Sequence, residues 1–122
     1  MAARDEDTGR FASVCKLGTG FDDETLIGLK DHFSPHVSQE RPGEVDSDMV
    51  PDVWFAPAIV MEVQAAEITL SPVHKAAWNT YRADSGLAAR FTRFTRWRDG
   101  KSADQATSVA ELAAMYEQQG KR

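Results

Sequence analysis

Arg90-Phe91-Thr92-Arg93-Phe94-Thr95-Arg96-Trp97-Arg98 places its aromatic residues at positions 91, 94 and 97. That spacing fits neither the period of two of a strand nor the 3.6 of a helix. Phe, Trp and Thr disfavour helix, so the stretch reads as a strand. One face then carries Phe91, Arg93, Thr95 and Trp97, and the other Arg90, Thr92, Phe94, Arg96 and Arg98. The second face presents three guanidiniums in a row, and guanidinium forks suit phosphate oxygens. On residue types alone, the alternative is an exposed basic strand whose arginines pair with acids elsewhere in the chain.

The rest of the sequence sharpens that contrast. Net charge is −5 over 122 residues, yet residues 1–52 hold twelve Asp/Glu against five Lys/Arg, and residues 53–122 hold seven against nine. From Arg90 to Lys101 only Asp99 opposes Arg90, Arg93, Arg96, Arg98 and Lys101. An acidic protein with one basic stripe points to a polyanionic partner. The length allows one domain, and 42% apolar residues with six Phe, three Trp and two Tyr suffice for a packed core. The longest uncharged apolar run, 53–61, is broken by Pro57 and falls far short of the ~20 residues of a spanning helix. No membrane partner is expected. The N-terminus lacks the basic-then-apolar order of a secretory signal and Cys15 has no disulfide partner, so a cytoplasmic setting is expected. Cys15 reads as a core or strand cysteine, and His32, His36 and His74 show no metal-ligand spacing with it.

Working outward, 5–9 is turn-rich and Phe11 to Leu17 is strand-prone, which predicts a hairpin whose first strand is only Met1 to Arg4. Gly18-Thr19-Gly20 breaks the strand. Asp22 caps a short helix over about 22–33, with Leu26, Ile27, Leu29 and Phe33 as its expected buried face and Ser34-Pro35 as its end. Residues 34–52 read as a long polar surface connection. Two strands are expected within 53–70, joined near Gln64 to Ala66, with Pro57 at an edge or bulge. The segment 73–89 is ambiguous, and Gly86 reads as a break. Ser108 and Glu111 form a capping-box pattern ahead of a helix over about 108–119, with Val109, Leu112, Ala113 and Tyr116 as its apolar stripe and Gly120 as its end. Short strands with one inserted and one terminal helix predict a mainly β, closed or partly closed barrel.

Arg90 to Thr107 closely resembles motif VI, the last nucleotidyltransferase motif of archaeal and eukaryotic ATP-dependent DNA ligases. Lys16-Leu17-Gly18-Thr19-Gly20-Phe21, Pro51-Asp52-Val53-Trp54-Phe55 and the stretch Ala66 to Ala77 resemble the same family in the same order. The resemblance covers nearly the whole chain. It implies the C-terminal OB-fold domain over 1–122, a five-stranded Greek-key barrel whose first strand is missing or reduced to Met1 to Arg4. An open barrel edge there would favour pairing with another copy. The chain is then a fragment of a longer ligase or a separate gene product.

In such ligases a core lysine attacks the α-phosphate of ATP, adenylate passes to the 5′-phosphate of a nick, and the 3′-hydroxyl displaces it. The OB domain closes over the core for the first step, setting motif VI on the pyrophosphate leaving group, and later turns another surface to the DNA minor groove. By position in the motif, Arg96, Arg98 and Lys101 are the implied catalytic and ATP-phosphate contacts. Arg90 and Arg93 are the implied DNA or structural contacts, and Lys16 and Lys75 are candidates either for DNA backbone contact or for ordinary surface lysines. Trp54 and Trp78 read as packing residues.

Two residues depart from the pattern: Gly100 replaces an Asp that would anchor Lys101, and Thr92 replaces a Pro. The chain has no Lys-x-Asp-Gly motif and none of the core's metal-binding carboxylates, so it is not expected to ligate alone. The implied cofactors are ATP and Mg2+, the metal held by the core. The implied partners are nicked double-stranded DNA and a nucleotidyltransferase core, in cis or in trans, in the cytoplasm at the nucleoid or in a eukaryotic nucleus. The alternative function is a stand-alone OB-fold nucleic-acid-binding module, and a non-functional remnant is a third.

Overall fold

The basic stretch is extended, but in two pieces. In the computed structural model, which describes residues 1–119, Gly86–Arg90 and Arg93–Trp97 are separate strands divided by Phe91, whose φ is +56°. A left-handed backbone at a bulky residue is uncommon, and it turns the chain sharply. The described residues form nine short strands and two helices: β1 (Ala2–Arg4), β2 (Phe11–Ser13), α1 (Asp23–Phe33), β3 (Val37–Ser38), β4 (Val45–Asp46), β5 (Trp54–Phe55), β6 (Met61–Gln64), β7 (Glu67–Ser71), β8 (Gly86–Arg90), β9 (Arg93–Trp97) and α2 (Val109–Gln119). The fold is mainly β, a small OB-like domain whose ladders fall into four small sheets.

The central feature is a bent antiparallel ribbon. β7 pairs with β8 from Glu67↔Arg90 to Ser71↔Gly86, and β6 pairs with β9 through Gln64↔Arg93 and Val63↔Phe94. These two ladders keep the same register across the gap, where Ala66 N still donates to Arg90 O at 3.0 Å. Beyond Val63 the register slips, so that Glu62 faces Arg96 and Met61 faces Trp97. Thr95 is the extra residue of a β-bulge. The bulge explains the spacing of three between Phe94 and Trp97, and the turn at Phe91 sets that residue apart from both. The slip reverses the alternation, so Phe94 and Trp97 meet edge to face at 5.1 Å instead of lying on opposite faces.

β1 pairs antiparallel with β2 along its whole length, as the hairpin pattern predicts, and β4 adds to β2 in parallel. The chain after β2 runs beside the ribbon: Ala89 N donates to Val14 O (2.9 Å), Thr92 Oγ1 to Lys16 O (2.7 Å) and Phe94 N to Thr19 O (2.8 Å). Ala3, Ala12, Val14, Cys15, Ile68, Ala76, Leu87 and Leu112 fill the core. Burial pushes the Cys15 thiol pKa up, in keeping with a packing role.

α2 closes one end. Ser108 Oγ accepts from Glu111 N at 3.1 Å and Ser108 N donates to Glu111 Oε1 at 3.4 Å, the reciprocal cap expected from sequence. Leu112 is buried, with Val109, Ala113 and Tyr116 packed against the core. Gln119 amide atoms meet both backbone groups of Ile68, at 2.7 and 2.8 Å. The expected terminator Gly120 lies outside the described residues.

Four expectations are corrected. α1 begins as predicted, with Asp22 accepting from Thr25 N at 2.7 Å, but none of its residues is buried. Leu26 and Ile27 are 54% and 82% exposed, and Leu29 and Phe33 are half-buried, because only one edge of the helix meets the ribbon. The connection 34–52 is not wholly irregular: β3 pairs with β5, and β4 extends the first sheet. Pro57 lies in the irregular connection between β5 and β6, not within a strand. Gly86 starts a strand instead of breaking one. A Cβ there would collide with the His74 carbonyl and lie 2.8 Å from that of Ala76, so glycine permits the close approach of two backbones.

Two predictions follow from these contacts. Gly86→Ala is expected to destabilise the fold by about 2–4 kcal/mol in urea titrations, since backbone cannot yield as a side chain does. Burial, reinforced by positive charges that include Arg90 and Lys16, holds the His74 pKa below its ordinary 6.5. The unfolded chain therefore takes the proton first. His74's contribution to stability is intact above about pH 6.5 and is lost as pH falls below that value. Melting temperatures between pH 7.5 and 5 should fall less steeply in His74→Gln than in the parent.

Candidate phosphate and nucleic-acid interface

β9 and the turn after it bring three of the predicted residues together. Arg96 Nη2 donates to Glu62 Oε1 at 3.1 Å and Arg98 Nη1 to the same oxygen at 3.4 Å. The bulge creates this arrangement by setting Glu62 directly across from Arg96. Lys101 follows in a tight turn, its N–H donating to Arg98 O at 3.0 Å, and its side chain is exposed. Glu62, Arg98 and Lys101 all line an open, largely apolar cavity of about 980 Å3.

Aromatic stacking fixes the strand behind these cations. Phe21 stacks on Phe94 at 4.6 Å just before α1, and His32 stacks on Trp97 at 4.0 Å, with rings 12° from parallel, in its last turn. α1 therefore spans β9 from one aromatic anchor to the next. Gly20, at φ +95°, lets the backbone lie against Phe94 and the Arg93 stem, where a Cβ would sit 2.6 Å from Phe94 N. β2 already ends at Ser13, so the Gly18-Thr19-Gly20 sequence does not end the strand as expected; Gly20 instead has a packing reason, while Gly18 stands in open space.

The predicted DNA-contact residues divide. Arg90 Nε donates to Thr69 Oγ1 at 2.8 Å, Arg93 is exposed, and Lys16 is exposed on the neighbouring segment. Between Arg90 and Arg93, Phe91 is 81% exposed. Lys75 stands apart from them. Its ammonium lies 2.7 Å from Asp48 and 3.7 Å from the Trp78 ring centroid, and its side chain is only 13% exposed. That pair joins the basic half to the acidic first half, but Arg96 and Arg98 take Glu62 instead. Trp54 and Trp78 are half-buried.

Sequence reading missed Glu62, His32 and Phe91. Glu62 stands in a strand-prone run that reads only as alternation, and a one-residue slip is invisible without the partner strand. Phe91 reads as a strand residue because its left-handed turn carries no glycine or asparagine signal.

This donor set suits phosphate oxygens, which accept from guanidinium and ammonium groups. Among the described residues no group of three or more His, Cys, Asp or Glu side chains could hold a metal ion. A small OB-like β domain presenting a phosphate-suited cationic ribbon is the class that fold and site define. Residues 1–101 match the family described as the ATP dependent DNA ligase C terminal region, and the chain belongs to that family. It is 47% identical over 122 residues to a DNA ligase of Hyperthermus butylicus, 46% to one of Thermoplasma volcanium and 48% to one of Cenarchaeum symbiosum. In each case 99–100% of this chain is matched, against 20–21% of the relative, so the chain spans about a fifth of those proteins' length.

Gly100, where the resembled motif has Asp, has an ordinary φ, and a Cβ there would stand in open space. Gly100→Asp is accordingly expected to leave stability within about 0.5 kcal/mol of the parent by urea titration.

Proposed function

We propose that residues 1–122 act as the OB-fold C-terminal domain of an ATP-dependent DNA ligase, working with a nucleotidyltransferase core in the DNA-containing compartment of the cell. The observation that carries this reading is the convergence of Arg96, Arg98 and Lys101 on one strand and turn, with two of them aimed by Glu62. Arg98 and Lys101, with Arg96 beside them, hold the β and γ phosphates of ATP, where charge grows as the α-phosphate is attacked. Fixed cations aimed at growing charge lower the barrier without reorganising. The core supplies the lysine nucleophile and the carboxylates for Mg2+, neither of which this chain contains.

Arg90, Arg93 and Lys16 meet the phosphate backbone of nicked duplex DNA, and exposed Phe91 serves as an apolar wedge between them, as minor-groove binders use. Lys75 joins only by leaving Asp48. With these contacts the domain helps encircle the nick while the phosphodiester forms.

A second reading, a nucleic-acid-binding module without catalysis, is favoured by that same Phe91, an exposed aromatic of the kind on which bases stack. One experiment separates the two. The chain is combined with a ligase core lacking its OB domain, from the chain's own source, and label from α-phosphate-labelled ATP is followed onto the core lysine. Arg98→Ala and Lys101→Ala are each expected to slow labelling about a hundredfold with duplex binding held within a factor of two. Arg93→Ala is expected to weaken duplex binding and reduce its salt slope by about one. Unchanged labelling in both Arg98→Ala and Lys101→Ala sinks the ligase assignment, and labelling independent of the chain favours the binding module.

A further inference from the structure

The two halves of the basic stripe have different counter-charges. Among the described residues no carboxylate lies within ion-pair distance of Arg90 or Arg93, and Arg90 is held only by the neutral hydroxyl of Thr69. Arg96 and Arg98 share one oxygen of Glu62, at 3.1 and 3.4 Å. A carboxylate oxygen between two guanidiniums stands where the oxygen of an incoming anion would stand.

We propose that Glu62 reserves Arg96 and Arg98 for densely charged phosphate and keeps them off the DNA backbone. The inference rests on the proposed role of those arginines toward the ATP phosphates. A phosphodiester carries a single negative charge, the same as the carboxylate it would displace. Glu62 is tethered opposite Arg96, so it meets the arginines at a high effective concentration. The exchange therefore brings a diester no gain. Adjacent terminal phosphates bring several charges to one point, and Coulomb attraction scales with charge, so they displace the carboxylate. The three side chains are all at least one-third exposed, which keeps the Glu62 contacts weak enough to yield. The stripe is thus sorted without a change in its residues: Arg90 and Arg93 stay open to the duplex, while Arg96 and Arg98 wait for a polyphosphate.

The test titrates the 122-residue chain with a nicked duplex and, separately, with inorganic tripolyphosphate. The variants are Glu62→Gln, Arg98→Ala and the two combined. Glu62→Gln is expected to tighten both ligands about threefold to tenfold and to steepen the salt dependence of duplex binding by about one phosphate contact. In the parent, Arg98→Ala should leave duplex affinity within a factor of two, yet in the Glu62→Gln background it should cancel the gain. Tripolyphosphate should weaken with Arg98→Ala in both backgrounds. Glu62→Asp, which withdraws the carboxylate by one methylene, should fall between parent and Glu62→Gln, and melting curves verify that every variant is folded. Looser or unchanged duplex binding in Glu62→Gln overturns the inference alone, as does a parent duplex affinity already sensitive to Arg98→Ala. Tripolyphosphate indifferent to Arg98→Ala overturns the phosphate role of the arginines and the inference together.

Discussion

Thr95 has no partner opposite it in the ladder between β6 and β9, and the arrangement of the site depends on that one unpaired residue. With an unbroken register, Phe94 and Trp97 would project to opposite faces. The extra residue lets both pack against aromatic groups at either end of α1, so the helix is pinned across the strand even though none of its residues is buried. The same slip sets Glu62 across from Arg96. Packing and electrostatics at this surface are therefore two results of a single backbone irregularity.

The left-handed turn at Phe91 plays the complementary part. It divides one basic stretch into a segment that continues the β7 ladder and a segment that continues the β6 ladder, without losing register between them. Each segment then presents its cations to different surroundings. A straight strand would have put Arg90, Arg96 and Arg98 in one environment, as the alternation of residues 90–98 implies.

Much of this domain was legible in the order of its residues. The caps at Asp22 and Ser108, the hairpin ahead of Phe11, and the strands on either side of Gln64 to Ala66 are local features, settled by neighbours within a few positions. The grouping of Arg96, Arg98 and Lys101 was legible for the same reason, since one strand and one turn hold them. What could not be read depends on distant partners. The need for glycine at position 86 comes from the carbonyls of His74 and Ala76, the exposure of Leu26 and Ile27 from how little of α1 meets the ribbon, and the engagement of Lys75 from Asp48 in a loop that looks merely polar. Motif likeness singled out these cations, but their counter-charge came only from the pairing of β6 with β9.

Gln119 links the far end of the chain to the integrity of the sheet. Its side-chain amide supplies one donor and one acceptor to Ile68, which is what the backbone of an additional strand would supply. At Ile68 the outer edge of β7 is thus covered by a side chain from the last turn of a helix, where fraying is easiest. Each time that turn unwinds, a strand edge with a buried-type residue becomes available to another chain. Association through this edge is therefore expected to follow the local opening of α2, ahead of unfolding of the domain as a whole.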